Sequence, residues 1–282
     1  MKLVSYTAND NDAYGIARDD GIVNLTSRIG DNYPDIKSLI TDDGLAEAAA
    51  AADGVGTDES LDGITYRPVI SNPDKIICVG LNYKAHREET GRAPTDNPAL
   101  FLRFADTQAG HNQPMIKPEN SDMFDYEGEL AVIIGKSGRH VKAVNYASII
   151  AGYSIYNDGS VRDFQNHTIQ WTAGKNFPKT GGFGPWMVTA DELGDPSQLE
   201  LTTRLNGEVM QNTTTDLMIF DIPTLIEYIT SFTELRAGDI ISTGTPGGVG
   251  FKRDPRVFMK DGDRVEVEIS KIGTLVNPIT AE

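Results

Sequence analysis

Asp125-Tyr126-Glu127-Gly128-Glu129-Leu130-Ala131-Val132-Ile133-Ile134 enters an aliphatic run through alternating acids. Glu129 to Ile134 reads as a mostly buried strand. Side chains two apart on a strand share a face, so Glu127 and Glu129 point the same way, and Gly128 between them leaves the other face uncrowded. Two like charges on such a face repel and lose hydration unless a cation neutralises them. A hard cation such as Mg²⁺ or Mn²⁺, with oxygen ligands at roughly 2.0–2.2 Å, resolves the conflict. A solvated strand end with alternating acids has the same spacing, and spacing alone leaves both readings open.

Around this segment the pattern is mostly strand. Ile76–Val79, Ser148–Tyr156, Trp186–Thr189, Leu199–Leu205, Asp239–Thr243 and Arg264–Ile269 are apolar, β-branched or alternating runs, most of them bounded by Gly, Asp or Pro. Helices are fewer: Tyr83–Glu89, Ser160–Gln165 and Ile222–Ser231, the last with Pro223 in its first turn and Leu225, Ile226, Ile229 and Phe232 at helical spacing. Near the N-terminus, Lys2–Thr7, Tyr14–Arg18 and Ile22–Asn24 read as short strands, and Asp35–Ile40 and Gly44–Ala52 as helices. Polar residues 53–62 read as a linker. The expected organisation is a small N-terminal α/β domain, residues 1–70, and a larger domain, residues 71–282. The expected fold class is α+β, mainly β: a roll, sandwich or barrel rather than a βαβ sheet.

The 282 residues carry a net charge of −16, which repels a phosphate backbone and an anionic membrane surface alike. No nucleic-acid or membrane partner is expected. The single cysteine, Cys78, excludes an internal disulfide and every CxxC motif. The N-terminus lacks the apolar core of a signal peptide, and a cytoplasmic setting is expected.

Four further segments carry possible chemistry. In Asn157-Asp158-Gly159-Ser160-Val161-Arg162-Asp163-Phe164-Gln165 a strand stops and turns into a helix. Asp158 there is either a helix cap or a third carboxylate beside the pair. His86 and Glu89 lie three apart on a helix face, where a carboxylate makes an imidazole an oriented base; a surface pair has the same spacing. Gly174-Lys175-Asn176-Phe177 and Ser242-Thr243-Gly244-Thr245-Pro246-Gly247-Gly248-Val249-Gly250 are glycine-rich loops matching no nucleotide-binding pattern. Lys175 could orient an anion or be a surface lysine. His111, His140 and His167 have no partner at ligand spacing, and HExxH and GxSxG are absent.

Taken in order, residues 80–91 (GLNYKAHREETG), 125–135 (DYEGELAVIIG), 157–165 (NDGSVRDFQ), 174–185 (GKNF with GFGP), 205–211 (LNGEVMQ), 220–230 (FDIPTLIEYIT) and 242–250 (STGTPGGVG) resemble the fumarylacetoacetate hydrolase family, and within it the 2,4-dioxo acid hydrolases. The resemblance covers about residues 70–282. It implies a mixed β-roll catalytic domain, often behind a small N-terminal domain, and a homodimer. It implies one Mg²⁺ or Mn²⁺ per subunit on Glu127, Glu129 and Asp158, and a His86–Glu89 dyad on a lid segment. Arg162, Gln165, Lys175 and Thr245 match positions that contact a small oxo acid substrate. Gly159, Val161 and residues 179–182 depart from the family pattern near the expected pocket wall, which bears on substrate identity.

The expected activity is hydrolytic C–C cleavage of a small 2,4-dioxo acid with release of pyruvate. Lys175 and Arg162 would fix the carboxylate, and His86, held by Glu89, would activate water. Rivals on the same site are decarboxylation of oxaloacetate and isomerisation or hydration of an unsaturated 2-oxo diacid. A non-catalytic metal-stabilised binding module is the alternative of another class.

Overall fold

The computed structural model describes all residues, 1–282. Residues 1–66 form β1 (Lys2–Ala8), β2 (Asn11–Arg18), β3 (Gly21–Asn24), short helices α1 (Thr26–Ile29), α2 (Ile36–Thr41) and α3 (Leu45–Ala52), and β4 (Thr65–Tyr66). The chain continues through β5 (Ile76–Gly80), α4 (Lys84–Thr90), β6 (Ala99–Arg103), β7 (Gln108–Ala109), β8 (Met115–Lys117) and β9 (Phe124–Asp125). Then come β10 (Gly128–Ile134), β11 (Ile150–Asp158), β12 (Ser160–Val161), α5 (Arg162–Gln165), α6 (Thr172–Lys175), β13 (Gly181–Thr189) and α7 (Ala190–Leu193). The last stretch holds β14 (Glu200–Leu205), β15 (Glu208–Thr214), α8 (Ile222–Phe232), β16 (Ile240–Ser242), β17 (Arg264–Ile269) and β18 (Gly273–Ala281).

An 11-stranded sheet follows the order β3-β2-β1-β13-β11-β10-β16-β5-β6, with β4 on β1 and β7 on β13; a five-stranded sheet runs β15-β14-β17-β18-β8. Most pairings are antiparallel, β16–β5 being a parallel pair within the large sheet. The class is α+β, mainly β, a mixed β-roll.

Period-two alternation divides the central strands between two cores. Leu130, Val132 and Ile134 of β10 join Ile77 and Val79 of β5 in a cluster with Leu201 and Val267 of the second sheet. Ala131 and Ile133, with Ile76 and Cys78, face a cluster that includes Leu3, Tyr14 and Leu39. Every residue of β10 is buried, as a strand covered on both faces requires. The second sheet presses against Gly128: a Cβ there would stand 2.1 Å from Thr203 Oγ1. The N-terminal strands join the large sheet where β1 pairs with β13, Leu3 opposite Met187.

Several sequence expectations change. The strand expected to end at Tyr156 runs to Asp158. The helix expected over Ser160–Gln165 is only Arg162–Gln165, and Ser160–Val161 pairs instead with Phe124–Asp125. Neither Asp158 nor Ser160 caps that helix, because Asp158 is bound elsewhere. The polar 53–62 stretch is strapped down: Arg18 donates to Val55 O at 2.6 Å and Arg28 pairs with Asp58 at 2.6 Å. Phe232 is 57% exposed at the end of α8 rather than on its apolar face. The unforeseen strands β6, β15 and β18 are short-run or interrupted by Asn, Thr and Pro, and long-range pairing holds them where local pattern is weak. No helix is long and apolar enough to cross a membrane.

Candidate metal centre and active site

Register builds the acidic cluster. In the β10–β11 ladder Gly128 faces Asn157 and Glu129 faces Tyr156. One step further, the Asp158 amide donates to Glu127 O at 2.8 Å, and the Glu127 amide donates to Asn157 Oδ1 at 3.0 Å. Asp158 thus arrives beside the two acids whose shared face is a local consequence of the strand. One carboxylate oxygen from each of the three buried residues lies within 4.8 Å of the others.

Three buried cations contact this cluster. Lys175 Nζ lies 2.7 Å from Glu127 Oε2 and 2.6 Å from Asp158 Oδ2. Arg162 spans Glu127 Oε1 at 2.7 Å and Asp125 Oδ2 at 2.8 Å. Arg103 donates to Asp158 Oδ1 at 2.7 Å and to Thr180 Oγ1 at 2.8 Å. Burial alone would raise the Glu127 carboxyl, but Lys175 and Arg162 hold it down to about 2. Glu129 is different: burial, then the charges of Asp158 and Glu127, push its carboxyl well above the usual range. Its Oε2 accepts from Ser242 Oγ at 2.6 Å and the Gly244 amide at 2.9 Å, while Oε1 takes no protein hydrogen bond. Three converging hard oxygen donors, one of them under-neutralised, fit a divalent cation such as Mg²⁺ or Mn²⁺.

The 242–250 loop organises the surrounding acids through its backbone. The Gly244 amide holds Glu129, the Gly248 amide holds Glu89 at 2.9 Å, and the Gly250 and Phe251 amides hold Asp125 at 2.9 Å each. Its N–H groups therefore receive protein carboxylates rather than a ligand phosphate. Gly244 (φ 104°) and Gly248 (φ 102°) adopt left-handed backbone, and a Cβ on either would collide with Asn82 or with Met210 O. Asn82 fastens the loop from below, donating to Thr243 O at 2.7 Å and to Phe220 O at 3.0 Å.

His86 Nδ1 lies 2.7 Å from Glu89 Oε1. A carboxylate only accepts, so this contact places the proton on Nδ1 and leaves Nε2 as a free acceptor. His86 is buried and lines the same cavity, of about 110 Å³, as Glu127, Glu129, Arg162 and Lys175. Gln165 and Thr245 line it too. All the sequence-selected site residues except Glu89 and Asp158 face this one space; Glu89 stands behind His86, and Asp158 behind Lys175. Arg162 and Lys175 are engaged by protein carboxylates rather than held free. Gly159, Val161 and residues 179–182 do not line the cavity: Val161 packs in a core with Phe124 and Tyr126, and Gly159 is pressed against Thr180 O. These positions pack behind residues of the site, Val161 beside Arg162 and Thr180 as acceptor of Arg103, without lining the cavity themselves.

Sequence reading missed Arg103, Asp125, Gln211 and Ser242. Gln211 accepts from the Gly128 amide at 3.0 Å and donates to Thr245 Oγ1 at 2.8 Å. Arg103 and Ser242 come from strands separated from their acid partners by 55 and 113 residues, and no local pattern signals such contacts. Asp125 lay within the quoted motif, and its alternation with Glu127 was the available clue.

Residues 75–280 match the family described as "Fumarylacetoacetate (FAA) hydrolase C-terminal", and the chain belongs to this family. It is 40% identical over 217 residues to "Oxaloacetate tautomerase Fahd2a, mitochondrial" of Rattus norvegicus, covering 77% of this chain and 69% of the rat protein. Among solved structures, 5-carboxymethyl-2-hydroxymuconate delta-isomerase from Mycobacterium smegmatis superimposes with a TM-score of 0.78 at 33% identity, covering 100% of this chain and 99% of the other. Maleylpyruvate hydrolase from Sphingobium sp. SYK-6, in complex with manganese(II) ion and pyruvate, does so with a TM-score of 0.84 at 29% identity, again covering 100% and 99%. The relatives are enzymes, and their names span a tautomerase, an isomerase and a hydrolase.

Proposed function

We propose that this protein is a divalent-metal-dependent enzyme that moves a proton at C3 of a small 2-oxo acid, interconverting keto and enol forms of an oxaloacetate-like substrate. The observation that carries this reading is the placement of His86, with a free Nε2, in the same cavity as Glu127 and Glu129. Glu127, Glu129 and Asp158 would hold Mg²⁺ or Mn²⁺, which when bound supplies Lewis acidity to a 2-oxo oxygen. His86 Nε2 takes the proton from C3 and returns it to the 2-oxygen, and the reverse transfer makes the keto form. Glu89 keeps the imidazole oriented and stabilises its protonated form, while the Gly248 amide fixes Glu89. Gln165, whose Oε1 accepts from Arg162 and whose amide NH₂ meets no protein acceptor, is suited to donate to the acid's carboxylate or oxo group, while Thr245 gives its proton to Gly128 O and shapes the wall. Identity of 40% to a named oxaloacetate tautomerase supports the reading. So does a cavity well below the roughly 300–1,000 Å³ of drug-sized ligand sites.

Hydrolytic C–C cleavage of a 2,4-dioxo acid is the second reading. The same dyad could activate a water, and the likeness to a maleylpyruvate hydrolase favours it. Decarboxylation of oxaloacetate shares the enolate and is separated by its products. The test is decay of the ultraviolet enol absorbance of oxaloacetate with enzyme and Mg²⁺ or Mn²⁺, with total oxaloacetate, pyruvate and CO₂ measured alongside. Faster decay with oxaloacetate conserved supports tautomerisation. Pyruvate plus CO₂ means decarboxylation, and pyruvate plus a second acid from acylpyruvates means hydrolysis. Inertness toward all of them overturns the family of readings.

A further inference from the structure

Four cations line the cavity: Arg162, Lys175, Arg92 and Lys252. The first two are buried and occupied, paired with Asp125, Glu127 and Asp158. Arg92 and Lys252 are exposed, and neither forms an ion pair with any protein carboxylate. The Lys252 ammonium lies 5.3 Å from the centroid of the Phe251 ring, within the roughly 6 Å reach of a cation–π contact. The cavity therefore has a floor of mutually satisfied charges and a mouth with two unsatisfied positive ones.

Both mouth cations are anchored to the reacting end. Arg92 follows Gly91, whose left-handed backbone (φ 69°) ends the helix that carries His86 and Glu89. Lys252 follows Phe251, whose amide is bound to Asp125 Oδ2, the oxygen that also takes Arg162. Their backbones are thus held in register with the acid cluster while their charged ends meet no protein carboxylate. The surrounding charge makes this costly to ignore. A protein of net charge −16 repels an anionic substrate at long range, and cations without carboxylate partners beside the cavity oppose that repulsion.

We infer that Arg92 and Lys252 are specificity-determining residues that receive a second, distal carboxylate, which makes the substrate a short 2-oxo dicarboxylate rather than a 2-oxo acid with a neutral tail. This rests on the enolising reading above for the head of the substrate and adds the chemistry of its tail. A carboxylate at the far end meets a guanidinium and an ammonium, while a neutral acyl or alkyl tail would leave both without a partner.

The experiment compares wild type with Arg92→Gln, Lys252→Gln and the double variant, all surface changes outside the acid cluster. With Mg²⁺ present, each is assayed on oxaloacetate and on pyruvate, the latter by deuterium exchange at its methyl group in D₂O. Calorimetric binding of oxalate, which has a head and no tail, is the control. The expected result is a rise in KM for oxaloacetate of tenfold or more in the double variant with kcat little changed. Exchange into pyruvate and oxalate affinity should stay within twofold of wild type. Equal losses on oxaloacetate and pyruvate, or no change on either, overturn the assignment of the two cations while leaving the enolising activity standing. A wild type that enolises neither acid overturns the underlying reading, and the assignment with it.

Discussion

The Gly248 amide donates to Glu89 Oε2 at 2.9 Å. Through it, the helix carrying the candidate base is fastened to the loop whose other amides hold Glu129 and Asp125. The candidate base and the candidate metal ligands therefore share one frame, and their separation does not depend on the long side chains alone. Orientation of this kind is what makes a histidine an efficient proton carrier.

Replacing His86 by Asn should lower kcat by roughly 10²–10⁴-fold, the usual worth of a positioned general base. Glu89→Gln should cost less, because one of its two contacts survives. Mn²⁺ affinity, followed by electron paramagnetic resonance, should stay unchanged in both. A parallel loss of Mn²⁺ binding would show that the dyad acts on the metal site rather than on the proton.

Added Mg²⁺ or Mn²⁺ should raise the melting temperature, and EDTA should reverse the rise. A ligand at a hundredfold excess over its Kd stabilises by about 2.7 kcal/mol. Glu129→Gln should abolish the metal-dependent part, since it removes the negative charge of the acid whose carboxyl burial and its two acidic neighbours push upward. Differential scanning calorimetry with and without metal measures both, and an unaltered metal response in that variant would exclude Glu129 as a ligand.

Arg103→Met should destabilise the fold by about 3–5 kcal/mol, because Asp158 would keep its burial and lose its guanidinium partner. Urea unfolding at neutral pH reads the change. A loss below about 1 kcal/mol would mean that Lys175 alone satisfies Asp158.

His111, which does not line the cavity, supplies a pH-dependent element of stability. Its Nδ1 accepts from the Val276 amide at 3.1 Å, and its ring packs edge-on against Tyr66. Burial, helped by Arg264, lowers it from an ordinary value of 6.5 to about 4. The unfolded chain thus binds the proton more readily. Its contribution is whole above about 6.5 and is lost as pH falls toward about 4, by at most about 3 kcal/mol. His111→Asn, whose Oδ1 can still accept from Val276, should flatten the wild-type slope between pH 6.5 and 4 in urea titrations. An identical slope in both proteins would assign the acid sensitivity to other groups.

The sequence by itself determined what short-range geometry dictates. Residues two apart on a strand share a face, which put Glu127 and Glu129 together, and residues three apart on a helix meet, which paired His86 with Glu89. The unbroken aliphatic run Leu130–Ile134 likewise announced a mostly buried strand. Collinear motifs extended that reading to the β-roll class and to the family, and they pointed to Asp158, Arg162 and Lys175 without saying what those side chains touch.

Only the tertiary structure decided the contacts that cross the chain. The β10–β11 register brings Asp158 to Glu127, and β6 delivers Arg103 beneath it. Lys175 turns inward to two carboxylates, and the glycine loop spends its amides on protein acids. It also showed Gly159 and Val161 to be packing positions and left Arg92 and Lys252 unpaired at the cavity mouth. The physical reason is that periodicity is a property of neighbouring dihedral angles, whereas a charge pair is chosen by which distant strands share a ladder. A carboxylate in sequence carries no mark of the cation that will face it once the sheet closes.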